Sequence, residues 1–237
     1  MTMHRWRQAT AVMAGLMLCG VPALRADAAS VQQEGTRGDD RIRGTAHVDF
    51  IVARRGDDVI FGYAKHDYIL GEAGEDVLFG NMYADTLNGG VGDDLLRGGM
   101  GADEVRGRGG LDELWGGPGD DAVYGGIRAD LIYGYPGSDW ILGQQGADSI
   151  FGGRGSDGIE GGEGADDIHA GPDDDRVSPA GGSDRLDLGL GDDTATLRPD
   201  GEPDEVDCGD GFDRVVVIGE SDPLDSFVNC EDTELPS

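Results

Sequence analysis

The sequence predicts an all-β solenoid of short parallel strands, and three observations predict it. An Asp recurs every nine residues from Asp40 to Asp193, eighteen times, without insertion or deletion. Two residues after each stands Ile, Leu or Val, with Ala195 as the single exception. Glycine collects ahead of each Asp, and thirteen of the eighteen units carry it two residues before. Self-similarity at a fixed short period marks a repeat architecture, in which each unit buries its apolar face against its neighbours. Glycine is 44 of 237 residues, but the nine-residue period excludes collagen, which needs it at every third position.

With the Asp placed at phase six, the unit divides into a turn and a strand. Glycine at phases one, two and four permits backbone angles closed to other residues. The following Asp-x-aliphatic-x stretch reads as a very short strand, with the aliphatic of phase eight on one face and phases seven and nine on the other. Two units make a coil of eighteen residues with a strand on each side. Stacked coils give two parallel sheets whose aliphatic rows, among them Ile60, Leu78, Leu96 and Leu114, meet inside.

That core is thin. One buried aliphatic side chain yields roughly 1.5–3 kcal/mol, whereas ordering nine residues costs on the order of 1–2 kcal/mol each. Stacking also draws the phase-six carboxylates into a self-repelling column. A cation must neutralise them and tie the turns. Calcium fits, because it takes six to eight oxygen ligands from carboxylates and main-chain carbonyls in flexible geometry, whereas magnesium demands a tighter octahedron. Zinc prefers nitrogen and sulfur, and His47, His66 and His169 stand at unrelated phases.

The first residues differ from the rest. Arg5 and Arg7 precede an apolar run from Ala9 to Val21, and small residues follow up to Ala26-Asp27-Ala28. This is the layout of a secretory signal peptide over 1–28; the run is shorter than the roughly 20 residues of a membrane span. A short lead, 29–34, then precedes the repeat domain, 35–196. The formal charge of −30 argues against nucleic acid or an anionic membrane as partner. Beyond the signal only Cys208 and Cys230 remain, and an even count in an exported chain suggests one disulfide, ahead of a free thiol pair or a metal site. After Asp193 the phase slips by two and resumes at Asp204, Asp213 and Asp222-Pro-Leu224. The segment 197–237 therefore reads as degenerate repeats and a disulfide-stapled cap, since a solenoid needs atypical terminal units.

The motif G-G-x-G-x-D-x-(aliphatic)-x is undegraded in residues 89–97, 98–106, 116–124, 152–160 and 161–169. It resembles the haemolysin-type calcium-binding nonapeptide of RTX proteins. The resemblance implies a parallel β-roll with calcium between the turns of consecutive coils, held by phase-six carboxylates and glycine-loop carbonyls. Asp76, Asp94 and Asp112 would line one side, and Asp103, Asp121, Asp139 and Asp157 the other; Asp40, Asp58, Asp148, Asp166 and Asp184 complete the main candidates. Asp49, Asp67 and Asp85 are weaker, because His47, Lys65 and Tyr83 replace glycine at phase four on one side, while Gly38, Gly56, Gly74, Gly92 and Gly110 run unbroken on the other. Asp130, Asp175 and Asp193 are further weaker candidates. Eighteen units leave eight gaps per side, at most about 16 calcium ions. RTX toxins, proteases and lipases usually carry a separate domain before the roll and a C-terminal export signal. This layout is more similar to small exported bacterial calcium-binding repeat proteins, which often end in a D-C-G-x-G-x-D…C segment.

No H-E-x-x-H, no G-x-S-x-G and no catalytic Cys/His context is present, so no enzymatic activity is expected. The expected function is that of a secreted, extracellular calcium-binding repeat protein that folds on binding calcium, with a structural or cell-surface role. The alternative is a calcium-dependent adhesin or carbohydrate-binding module. It would use outward aromatics at phase nine, Phe61, Phe79, Trp115, Tyr124, Tyr133 and Phe151, against a cell-surface or polysaccharide ligand.

Overall fold

The computed structural model describes residues 30–219 and 223–234. The expected signal peptide and its cleavage site lie outside them, as does Asp222. The chain winds as a two-sheet solenoid. Twelve strands, beginning with Val31–Glu34, Asp49–Arg55 and Tyr68–Ala73, form the first sheet; eleven, beginning with Arg41–Arg43, Val59–Ala64 and Val77–Met82, form the second. All pairs are parallel. Ile60 pairs with Leu78, and Leu78 with Leu96, so the coil is eighteen residues long. The strands run on through phases one to three, longer than the four residues read from the sequence.

The phase-eight row of each sheet is buried and the two rows meet face to face, Ile69, Leu87 and Val105 against Ile60, Leu78 and Leu96. Phase one also points inward, a second core position that the glycine pattern concealed. Ala53, Ala170 and Leu188 occupy it and join the core.

Phase nine lies outside, as expected, but its aromatics are not shared evenly. Phe61, Phe79, Trp115, Tyr133 and Phe151 all stand on the second sheet, and Tyr124 on the first. Phe61 and Phe79 stack at 4.9 Å and 7° between planes; Tyr133, Phe151 and His169 stack at 5.0 Å each. Arg97 bridges the two groups, with its guanidinium carbon 3.4 Å from the Trp115 ring centre and 5.8 Å from that of Phe79. The stacked rings turn their faces to one another along the coil axis, whereas Trp115 meets Tyr133 edge to face at 83°.

Both ends extend beyond the regular repeat. Residues 29–34 are more than a lead: Val31–Glu34 is the first strand, with Gln33 opposite Ile51 and its Nε2 donating to the Arg43 carbonyl (3.0 Å). A polar side chain at the inward position suits the open end of a core. At the other end the coil lengthens to twenty residues, with Leu186 opposite Val206 and Ala195 opposite Val215, so the two-residue slip becomes a wider loop before Asp204. Of the expected in-phase triplet Asp222-Pro-Leu224, Leu224 does not take the core position. Leu224 is 56% exposed, and Phe227, opposite Val206, packs on the core instead. Cys208 and Cys230 form the disulfide.

Candidate metal centre

The chain crosses between sheets at two edges. One carries Asp40, Asp58, Asp76, Asp94, Asp112, Asp130, Asp148, Asp166 and Asp184; the other carries Asp49, Asp67, Asp85, Asp103, Asp121, Asp139, Asp157, Asp175 and Asp193. In every coil the same bond recurs. The main-chain N–H of one phase-six Asp donates to Oδ1 of the Asp eighteen residues later, as Asp58 does to Asp76 (2.9 Å) and Asp67 to Asp85 (2.7 Å). One carboxylate oxygen thereby becomes part of the backbone ladder, and the side chain is fixed in register.

The other oxygen has no partner. Oδ2 of Asp58, Asp67, Asp76, Asp85, Asp94, Asp103, Asp112, Asp121, Asp130, Asp139, Asp148, Asp157, Asp166, Asp175, Asp184, Asp193 and Asp213 is sealed from solvent without a hydrogen bond. A buried unsatisfied carboxylate oxygen is costly, and the proton affinities register it. Burial first, then the neighbouring carboxylates, push Asp85, Asp121, Asp130 and Asp175 up to about 8. Burial likewise raises Asp67, Asp94, Asp139 and Asp166 to about 7.

Around each orphaned oxygen lie main-chain carbonyls. A Cβ built on Gly71 would sit 2.6 Å from the Gly89 carbonyl oxygen and within contact of Asp76 Oδ2, so glycine keeps this cradle open. At phase four, a Cβ on Gly92 (φ +135°) would meet the Gly74 carbonyl at 1.9 Å; these carbonyls point along the axis from coil to coil. Among the described residues no three His, Cys, Asp or Glu side chains cluster as a metal set. One carboxylate per coil completed by carbonyls forms no such cluster. This is an all-oxygen donor set of the kind calcium takes.

A model of the RTX calcium-binding nonapeptide repeat matches residues 34–60, 54–82, 79–114, 97–127, 124–159 and 160–195. The chain belongs to the RTX calcium-binding repeat family. No curated protein matches it. RTX repeats bind calcium, and the donors here fit the ion; in this RTX roll the phase-six Oδ2 atoms and turn carbonyls would hold it.

The roll does not treat all its Asp residues alike. Asp40 Oδ2 accepts from the Thr36 N–H (2.6 Å) and Oγ1 (2.9 Å), and Asp49 Oδ2 from the Thr45 N–H (2.5 Å). These two carboxylates at the N-terminal end are satisfied by the chain itself. Phase four at Lys65 and Tyr83 keeps the turn, but at φ +79° rather than the +145° and +135° of Gly74 and Gly92. In this N-terminal half the two sides are thus distinct in backbone as in sequence; further along, Gly101 and Gly119 on the Lys65 side take +146° and +141°.

Some acceptors escaped the sequence reading. Asp225 and Glu231 continue the columns beyond the repeat, accepting from the Asp204 N–H (3.2 Å) and Asp213 N–H (3.0 Å). Asp225 is out of phase, 21 residues after Asp204, whereas Glu231 keeps the eighteen-residue step from Asp213 but with Glu in place of Asp. Phase five adds a second acidic column on the Asp58 edge, where Asp39, Asp57 and Asp93 accept from the N–H of Asp57, Glu75 and Leu111. Their periodicity was visible at a spacing of eighteen rather than nine.

Proposed function

We propose that this RTX roll is an exported calcium-binding protein that assembles its coils as calcium loads the turns, and that it acts by binding rather than catalysis, in a structural or cell-surface role. The observation that carries the reading is the column of buried, partnerless Oδ2 atoms. Without a cation each is a desolvated carboxylate among like charges; with calcium each becomes a ligand, and ion binding becomes folding free energy. Export rests on the signal-like segment at 1–28. Far-UV circular dichroism of the chain from Ala29 onward, in chelator and in millimolar calcium, tests the reading. A β-rich spectrum only with calcium supports it, and identical spectra refute it.

The aromatic row gives little support to a carbohydrate surface. Sugar rings stack on exposed aromatic faces, and here the faces of Phe61 and Phe79, and of Tyr133 and Phe151, are turned to one another, and that of Trp115 to Arg97. The row is better suited to holding coil to coil on the second sheet.

A further inference from the structure

The outer face of the second sheet is zoned in both charge and shape. Its first coil presents Arg41 and Arg43, both exposed. Its C-terminal coils carry Asp167, Asp187, Glu205 and Asp207, with Arg185 among them. Between the two ends runs the aromatic row, flanked at phase seven by half-buried Val59, Val77, Leu95 and Leu131. Two tyrosines at phase two stand proud of it, Tyr63 at 40% and Tyr135 at 42% exposure. At the acidic end lies a concavity of about 240 Å³, lined by His169, Gly171, Pro172, Asp187, Gly189 and Leu190. The first sheet lacks this zoning, with Glu104, Arg106 and Glu160 in the middle of its outer face.

We propose that the roll pairs with a second copy of itself through this face, antiparallel, about a two-fold axis at the coil of Trp115. When two such sheets pack face to face with the axis along the strands, each phase meets the same phase and the order of coils is reversed. Arg43 and Asp187 lie four coils to either side of Trp115, so Arg43 meets Asp187 of the partner subunit. The same axis sets Tyr63 opposite Gly171 of the partner subunit, at the concavity, and Tyr135 opposite Gly99 of the partner subunit. Protruding rings thus meet positions that carry no side chain. Charge and shape select one axis independently. Like charges do meet at phase seven, Glu113 with its own copy and Arg41 with Arg185 of the partner subunit. Each such meeting has opposite charge one coil away, in Arg97 for the first and in Asp167 and Glu205 for the second. From the coil of Arg43 to that of Asp187 the face is roughly 40 Å long, and roughly 15 Å wide across phases seven to two. Two such faces bury on the order of 1,200 Å², the lower end of the range for stable interfaces. The pairing rests on the calcium reading above, because the face exists only in the folded roll and bound calcium removes much of the charge that would drive two copies apart.

Sedimentation equilibrium of the chain from Ala29 onward, in millimolar calcium and over roughly 1–100 μM protein, tests the proposal. The unaltered chain is expected to be dimeric in the upper part of that range. Tyr63→Ala and Arg43→Glu should each raise the dimer dissociation constant about tenfold, with the circular dichroism unchanged. The double variant Arg43→Glu/Asp187→Arg should recover an affinity near that of the unaltered chain. Within one chain these two residues are eight coils, roughly 38 Å, apart, so the recovery comes from a second copy. An unaltered chain that is monomeric throughout, a dimer indifferent to Tyr63→Ala, or a double variant no tighter than Arg43→Glu overturns the proposal. A chain without a β-rich spectrum in calcium overturns the calcium reading instead, and its circular dichroism tells the two failures apart.

Discussion

Removing calcium and varying pH should expose the cost of the Asp columns. Nine carboxylates, Asp67, Asp85, Asp94, Asp121, Asp130, Asp139, Asp166, Asp175 and Asp204, have native proton affinities raised by burial to about 7 or about 8. Unfolded, each titrates at its ordinary value of 3.8. Near pH 6 the metal-free roll thus holds protons that the unfolded chain has lost. Stability is fully present below the unfolded value and drains away as pH rises through the native values. Nine protons set an upper slope of roughly 12 kcal/mol per pH unit. Neighbours in a column share protons and water screens part of the effect, so about a third of that, ~4 kcal/mol per unit, is a sounder figure. Even this rivals the whole stability of an ordinary domain, about 5–15 kcal/mol, within two pH units. Protein freed of metal by dialysis should therefore be β-rich by circular dichroism near pH 4.5 and lose that signal by pH 8. Added calcium should restore it at pH 8. A metal-free spectrum equally β-rich at pH 5 and pH 8 would refute the reasoning.

The two edges should respond differently to loss of a carboxylate charge. Asp76→Asn, between glycine turns at Gly74 and Gly92, should raise the calcium midpoint of folding several-fold and lower the bound count; Asp67→Asn, beside Lys65 and Tyr83, should do much less in the same titration. Reducing Cys208–Cys230 should destabilise the calcium-loaded roll by about 3 kcal/mol, the chain-entropy value for a loop of this size, read as a lower thermal midpoint. Gly71→Ala should close the cradle at Asp76, costing at least one calcium by dialysis, because its Cβ would contact both Asp76 Oδ2 and the Gly89 carbonyl.

Much of this protein was legible as sequence because its repeat is local and unbroken. Asp at phase six and an aliphatic at phase eight determine where each strand lies, which face is buried and that eighteen residues close a coil, since strand alternation and stacking leave no other register. The oxygen chemistry followed from the same pattern, and the pairing of Cys208 with Cys230 from their even count. Tertiary structure alone decided the rest. That Asp76 commits one oxygen to the Asp58 amide and leaves the other bare depends on stacking a coil away. Thr36 and Thr45 satisfy Asp40 and Asp49, though their Asp residues look like the others in sequence. Arg128 meets Asp93 from 35 residues away, a contact that only the superposition of coils creates. Asp225 and Phe227 stand 21 residues after Asp204 and Val206 rather than eighteen, and counting by nines fails wherever the coil changes length. A period fixes what each unit does within its coil; only the stacked structure fixes which side chains meet across the gaps between coils.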